Sequence, residues 1–132
     1  MNEDTRADSL GDFENYRISV TDGITRIRVL AVPGNDETLR MIRFLHDTNL
    51  YRRRLVDFRE KTLPFSASDL IEFAAKGRAL MRDRNRFALV IGDKTQRGPL
   101  EILAAYREQE GVSEVSVFED DRAAVDWLSE PF

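Results

Sequence analysis

The sequence predicts an α/β protein with a single-layer mixed sheet and four helices, in the order ββαβαβαβα. Asp22-Gly23 lies between two apolar runs, which is typical of an antiparallel hairpin. After this hairpin, three short apolar runs alternate with amphipathic segments of helical spacing. Such alternation indicates parallel strands joined by crossover helices. We therefore expect an antiparallel first hairpin followed by parallel strands.

The first eleven residues are mostly polar and carry too little apolar surface to become ordered. We expect a disordered polar tail over 1–11 and one folded domain over 12–132, a length that suits a single domain. The first two strands are expected over 13–20 and 24–32. Asn35 or Asp36 is expected to cap the first helix.

The stretch 53–70 forms the central strand-to-helix unit. Its apolar run predicts a third strand over 53–58, and Ser66 is expected to cap the second helix with Asp69 as the acid of a capping box. The buried face of that helix is expected to consist of Leu70, Phe73, Ala74, Gly77, Leu80 and Met81.

The second half of the chain predicts the remaining elements. The continuous apolar run 87–91 is typical of a central parallel strand that is covered on both faces. Pro99 suits the first turn of the third helix. A last strand is expected over 115–118, and Asp120 or Asp121 is expected to cap the final helix.

Composition excludes several classes of site. The chain has no cysteine and one histidine, so it offers no disulfide, no thiol chemistry and no multi-histidine metal site. No apolar run approaches about 18 residues, and the N-terminus lacks the apolar core of a signal peptide. We expect a cytoplasmic protein with no membrane insertion, no metal and no cofactor.

The charge distribution argues against nucleic acid as a partner. The net charge is −4, and 17 of the 20 basic residues are arginine. Nucleic-acid affinity depends mainly on neutralising phosphates, which a negative chain does poorly. Arg52-Arg53-Arg54 is the one feature that points the other way. We expect a homodimer or weak self-association, and no nucleic acid bound.

Three stretches resemble the STAS domain, the fold of bacterial anti-sigma-factor antagonists. The likeness covers about residues 13–130 and is closest to the SpoIIAA-like branch, which is sometimes linked to lipid-binding carriers. The stretches are Leu55-Val56-Asp57-Phe58 with Leu63-Pro64-Phe65-Ser66, then Phe87-Ala88-Leu89-Val90, and Val117-Phe118-Glu119-Asp120 with Ala123, Ala124, Trp127 and Leu128.

One departure from that family concerns its phosphorylation switch. The resemblance implies a Ser or Thr acceptor in an Asp-Ser-Ser-Gly-type turn at the start of the second helix. Ala67 stands at the matching position, between Ser66 and Ser68. We therefore expect a domain of this type without the switch.

Candidate binding residues lie at strand ends and at the start of the second helix. Ligands of open α/β sheets meet the carboxyl ends of parallel strands, where acids also serve as helix caps. A magnesium site formed by these acids is the less favoured alternative. The candidates for ligand or partner binding are Asp57, Arg59, Phe65, Ser66, Ser68, Asp69 and Asp93.

Two functional classes remain open. The resemblance to STAS domains implies a non-enzymatic regulatory module that binds a protein partner through the surface around 59–69. The link to lipid-binding carriers implies a small apolar or lipid-like ligand in an internal pocket. That pocket would be lined by Phe44, Phe58, Phe65 and Phe73. No nucleophile–base pair is readable, so we expect no enzymatic activity.

Overall fold

Five strands form one sheet in the order in which they follow along the chain. The structure, a computed structural model, describes residues 9–59, 65–108 and 112–132. Its elements are β1 (Tyr16–Thr21), β2 (Ile24–Val29), α1 (Asn35–Asp47), β3 (Arg53–Asp57), α2 (Ala67–Leu80), β4 (Asn85–Val90), α3 (Arg97–Glu108), β5 (Ser113–Phe118) and α4 (Asp121–Leu128). A 3₁₀ turn, Lys94–Gln96, precedes α3.

Strand directions confirm the predicted fold class. β1 pairs with β2 antiparallel, and β2, β3, β4 and β5 are parallel. The register aligns one apolar row across all five strands: Ile18, Ile27, Val56, Leu89 and Val117. This row fixes the sheet face that the crossover helices must cover, because a slip by one residue would turn it to the other side.

The hairpin turn follows the predicted chemistry. Asp22 has φ 55° and Gly23 has φ 79°, so both central residues are in the left-handed region. Two-residue turns of this kind match the twist of the strands that they join. The strands are shorter than predicted, since β1 begins at Tyr16 and β2 ends at Val29.

Helices α1, α2 and α3 all pack on the same face of the sheet, here called the helix face. Met41 and Leu45 of α1, Phe73 of α2 and Leu103 of α3 join the apolar row in one buried cluster. Burial of such side chains supplies the main favourable free energy of folding. The helix face therefore contains the larger core.

Among the described helices, α4 is the one that covers the opposite face, here called the α4 face. Ala124 and Leu128 of α4 pack on Leu55 of β3 and on Ala88 and Val90 of β4. Every one of these residues is buried. The strand β4 is thus covered on both faces, as its continuous apolar run predicted.

The helix starts show which caps the sequence identified. The Ser66 hydroxyl accepts from the Asp69 amide at 3.1 Å, and Asp69 accepts from the Ser66 amide at 3.0 Å, which confirms the capping box. Asp120 caps α4 by accepting from the Ala123 amide at 2.9 Å.

The predicted cap of α1 is wrong. Gly34 is the N-cap and makes no side-chain cap bond. Asn35 is already helical. Its side-chain Nδ2 donates to Asp69 Oδ1 at 2.8 Å, which joins the start of α1 to the start of α2. The side chain of Asn35 is therefore used between helices and not on its own backbone.

Part of the predicted tail contacts the sheet. Residues 1–8 lie outside the described residues. The Leu10 amide donates to the Ile18 carbonyl at 2.8 Å, and the Ile18 amide donates to the Ser9 hydroxyl at 3.3 Å. Ser9 and Leu10 therefore lie along the outer edge of β1.

Helix length bears on the predicted absence of membrane insertion. Within the described ranges, no helix is both long enough and apolar enough to cross a membrane.

Candidate functional site

A cavity of about 70 Å³ lies between the helix face of the sheet and the three helices. The sheet contributes Ile27, Val56 and Leu89 to its wall, and α1, α2 and α3 contribute Met41, Phe73 and Leu103. The wall is therefore mainly apolar, as expected of a site for a small organic ligand.

Two arginines lie close together in the wall of this apolar cavity, and their part of the wall is here called its polar end. Arg54 projects from β3 and Arg107 from α3, and both line the cavity. They are 3 % and 2 % exposed. Fully buried arginines are rare unless a partner compensates their charge. Their surroundings therefore decide what the cavity can hold.

A single amide oxygen joins the two arginines. Asn85 Oδ1 accepts from Arg54 Nη2 at 3.0 Å and from Arg107 Nη2 at 3.4 Å. The Ser113 hydroxyl donates to the same oxygen at 3.2 Å and accepts from Arg107 at 2.9 Å. Asn85 and Ser113 are neutral, so these bonds orient the guanidinium groups without offsetting their charge.

The other contacts of Arg54 are also with neutral groups. Its Cζ lies 4.3 Å from the centroid of the Phe87 ring, a cation–π contact. Its Nε is buried and has no hydrogen-bond partner within the described part of the chain. Burial lowers the pKa of the Arg54 guanidinium well below its usual value, and the Arg107 charge lowers it further. Because arginine keeps its proton in proteins, this lowered pKa reflects an unfavourable position for a charge.

Gly77 makes room for the second arginine. A Cβ placed on Gly77 would overlap with Arg107 Nη1. Gly77 is in α2, while Arg107 is in α3, so the missing side chain lets the guanidinium pass between the helices. The predicted buried face of α2 is confirmed at Leu70, Phe73, Ala74 and Gly77.

Tyr16 and Thr38 add a second polar pair to the cavity wall. Their hydroxyl oxygens lie 2.6 Å apart, and Thr38 also donates to the Gly34 carbonyl at 3.0 Å. Tyr16 must therefore donate to Thr38, since the Thr38 proton is already used. Burial raises the pKa of the Tyr16 hydroxyl. This pair is satisfied and offers no spare donor.

The predicted aromatic pocket is largely where the sequence placed it. Phe58, Phe65 and Phe73 line the cavity, and the rings of Phe65 and Phe73 meet edge to face at 4.8 Å. Phe44 does not line it. Phe44 packs instead against Phe13, with ring centroids 5.6 Å apart, so the prediction was wrong for this residue.

Asp57 and Arg59 lie on the α4 face. Asp57 accepts from Arg59 Nε at 3.0 Å and from Nη2 at 2.8 Å. Beside this pair, Arg26 donates to both oxygens of Asp121, at 2.8 and 3.0 Å. Burial alone would raise the pKa of Asp57, but the bonds from Arg59 lower it overall, and the bond from Arg26 lowers the pKa of Asp121.

The remaining candidate residues serve helix starts. Ser66 and Ser68 are exposed, with their hydroxyl oxygens 3.1 Å apart, and Asp69 belongs to the capping box. Asp93 caps the 3₁₀ turn by accepting from the Thr95 amide at 3.0 Å. Of the seven predicted candidates, Phe65 is the one that lines the cavity.

The acids at the strand ends are bound by arginines or cap helix starts. Across residues 9–59, 65–108 and 112–132, no group of three or more His, Asp or Glu side chains could hold a metal ion. Asp57 pairs with Arg59, and Asp121 pairs with Arg26.

Sequence reasoning missed the polar end of the cavity, although two signals were present. Arg54 precedes Val56 and Phe58 at the spacing of one strand face. Arg107 follows Leu103 and Ala104 at the spacing of one helix face. Both patterns place an arginine among buried neighbours.

Comparison with known proteins adds no neighbour to these findings. No family model matches the chain, and neither a curated protein nor a solved structure matches it. The resemblance to the STAS domain and its SpoIIAA-like branch stays a prediction from the sequence.

Proposed function

We propose that this protein is a non-enzymatic binding protein that holds a small, largely apolar ligand in the cavity of the helix face. The observation that carries this proposal is an apolar cavity bordered by all three crossover helices. Well-packed interiors leave few voids larger than a water molecule. A space of this size in a core of large side chains therefore favours a bound ligand.

The volume limits the ligand. The cavity measures about 70 Å³. One water molecule takes up about 30 Å³ of liquid volume, and a cavity of about 150 Å³ holds benzene. The site therefore accepts a group of a few heavy atoms as it stands. Movement of Phe65, which is only partly buried, would admit a longer one.

An NMR titration with two four-carbon probes, 1-butanol and sodium butyrate, tests this proposal. Amide signals of cavity-lining residues should shift and saturate with at least one probe. Ala74→Leu should abolish the shifts, because Ala74 is buried and lines the cavity. Ala75→Leu is the matched control, since Ala75 is exposed on the same helix.

Two results would contradict the proposal. One is the absence of saturable shifts with either probe in the native protein. The other is unchanged binding in Ala74→Leu, which would place the ligand elsewhere.

The surface of α2 favours a second candidate function, a protein-interaction module. Ile71 is 39 % exposed on α2, next to the exposed Ser66 and Ser68 at the start of that helix. An apolar side chain beside a polar rim suits a modest protein contact. In this proposal the module acts in the cytoplasm, alone or as a homodimer.

Self-association is the measurable form of that second candidate. Ile71→Arg should shift sedimentation toward the monomer, while Ile102→Arg, a 53 % exposed position on α3, should not. Equal sedimentation of all three proteins would remove the homodimer from this proposal.

A further inference from the structure

We propose that the ligand of this cavity is a small organic carboxylate, and that its oxygens accept from Arg54 at the polar end. This inference rests on the proposed function and names the ligand class of the same site. It follows from one observation, a buried arginine that lines an apolar cavity and whose Nε has no acceptor among the described residues.

The first step concerns charge. Arg54 and Arg107 both donate to Asn85 Oδ1, so two guanidinium groups meet at one neutral oxygen. Burying a charge without a counter-charge is costly. A carboxylate next to Arg54 would compensate this cost, and a neutral ligand would not.

The second step concerns the free donor. Arg54 uses Nη2 on Asn85, while its buried Nε has no acceptor within the described residues. A buried donor left unsatisfied loses the full free energy of its hydration. One carboxylate oxygen on Nε would satisfy it through a charge-assisted bond, the stronger kind of hydrogen bond.

The third step separates a carboxylate from other anions. A phosphate group has three oxygens that need donors, whereas the rest of the wall is apolar and the pair Tyr16–Thr38 is already satisfied. A carboxylate has one small charged end, and its carbon chain suits the apolar wall. The cavity as it stands fits the carboxylate and the first carbons of its chain, and movement of the partly buried Phe65 would admit the rest.

The test compares butyrate with 1-butanol by NMR titration at an ionic strength held constant with sodium chloride. These probes share a four-carbon chain and differ in charge. Butyrate should bind at least about tenfold more tightly, because hydrogen bonds to charged groups exceed neutral ones by roughly that factor. Sodium chloride alone should not shift the signals of cavity residues.

Three variants locate the preference. Arg54→Met should reduce the ratio of butyrate affinity to 1-butanol affinity to about one. 1-Butanol should still bind, because the apolar wall is kept and only the charge is removed. Asn85→Asp should also reduce this ratio, since an internal carboxylate would then face both arginines. Arg53→Met is the control and should keep the preference, because the hydrogen bonds of Arg53 are with Leu128 and Glu130 on the α4 face.

Equal affinity for both probes would overturn the carboxylate assignment and leave the proposed function intact, whereas failure of both probes would contradict the proposed function itself. A preference that persists in Arg54→Met would also overturn the assignment. Glu110 follows Arg107 by three positions in the sequence. If butyrate is preferred in Glu110→Gln but not in the native protein, the chain supplies its own carboxylate. That result would also contradict the assignment.

Discussion

The two faces of the sheet treat their arginines differently. On the α4 face, Arg26 holds Asp121 through two hydrogen bonds, and Arg59 does the same with Asp57. On the helix face, the contacts of Arg54 are with an amide oxygen and an aromatic ring. Arg26 and Arg59 on the α4 face are compensated by carboxylates of the chain, whereas Arg54 meets no carboxylate among the described residues.

Two adjacent arginines of β3 are divided between these faces. Arg53 and Arg54 point to opposite faces because side chains alternate along a strand. Arg53 donates to the Leu128 and Glu130 carbonyls near the end of α4, and its Cζ lies 4.5 Å from the centroid of the Phe132 ring. Arg53 thus binds the segment that follows α4, and Arg54 places a positive charge in the wall of the internal cavity.

The largest expected effect concerns the core of each face. Leu89→Ala on the helix face and Leu55→Ala on the α4 face should each cost about 2–5 kcal/mol in the free energy of unfolding, because both side chains are fully buried. Leu89 borders the cavity, so its loss should also enlarge the binding site. Urea denaturation measures the cost, and titration with sodium hexanoate measures the site.

Hexanoate binding should become tighter in Leu89→Ala and stay unchanged in Leu55→Ala. A cost near zero for Leu89→Ala would contradict the central place of β4. Tighter hexanoate binding in both variants would show that the two cores are not separate.

The next effect concerns the backbone at Arg59, whose side chain forms one of the ion pairs of the α4 face. A Cβ on Gly92 would lie 2.8 Å from the Arg59 carbonyl oxygen, a backbone atom that cannot easily move. Gly92→Ala should therefore destabilise the protein by about 1–3 kcal/mol through overpacking.

Gly98→Ala provides the matched control. Nothing lies within 4 Å of a Cβ at Gly98, which sits at the start of α3. Alanine there should raise the stability by about 0.4–1 kcal/mol, since it restricts the unfolded chain. Equal melting temperatures for the two variants would contradict the close approach at Gly92.

Substitution of the two neighbouring arginines should change the stability differently. Arg53→Met should cost about 1 kcal/mol, because it removes hydrogen bonds from a charged donor. Arg54→Met should be neutral or stabilising by about 1 kcal/mol in ligand-free protein, as for other replacements of buried charges by apolar groups. Chemical denaturation of both variants checks the sign, and a clear loss of stability in Arg54→Met would mean that its charge is compensated.

The smallest effect is a dependence on pH that belongs to the α4 face. The pKa values of Asp57 and Asp121 are lowered by their arginine partners. Such groups stabilise the fold above their unfolded pKa of about 3.9, and this stability is lost as pH falls through the folded pKa. Because both pairs are partly exposed, the loss should stay below about 1 kcal/mol per pair.

Hydrogen exchange at pH 3 and pH 6 would show which face responds. Amides near Asp57 should lose protection in acid, while those near Asn85 should not, because Arg54, Asn85 and Ser113 do not titrate in this range. Asp57→Asn should flatten the response. Equal loss on both faces would contradict this assignment.

The sequence was informative where local chemistry decides the structure. The Asp22-Gly23 turn and the Ser66 capping box depend on residues within four positions of one another, and both were predicted. The cap of α1 was missed because the Asn35 side chain bonds to Asp69, which is 34 positions away in the sequence. Long-range partners are not visible in a local pattern.

The candidate site depends on such partners. Asn85 joins β3 and α3 through one oxygen, and Gly77 admits Arg107 from another helix. A basic run like 52–54 is usually read as solvated, because most arginines are exposed or paired at the surface. The register of β3 decides which arginine of this run points to which face. That register can be predicted only when the pairing of the strands is known.

The strand order has a consequence for how any ligand reaches the protein. Each parallel strand lies beside its predecessor, and every crossover returns on the same side. The sheet therefore has no switch point, the place where strand order reverses and opens a crevice at the carboxyl ends. A ligand of the helix face should therefore enter only after Phe65 or a helix next to the cavity moves. Its exchange should follow that movement, and should be slower than exchange from an open cleft.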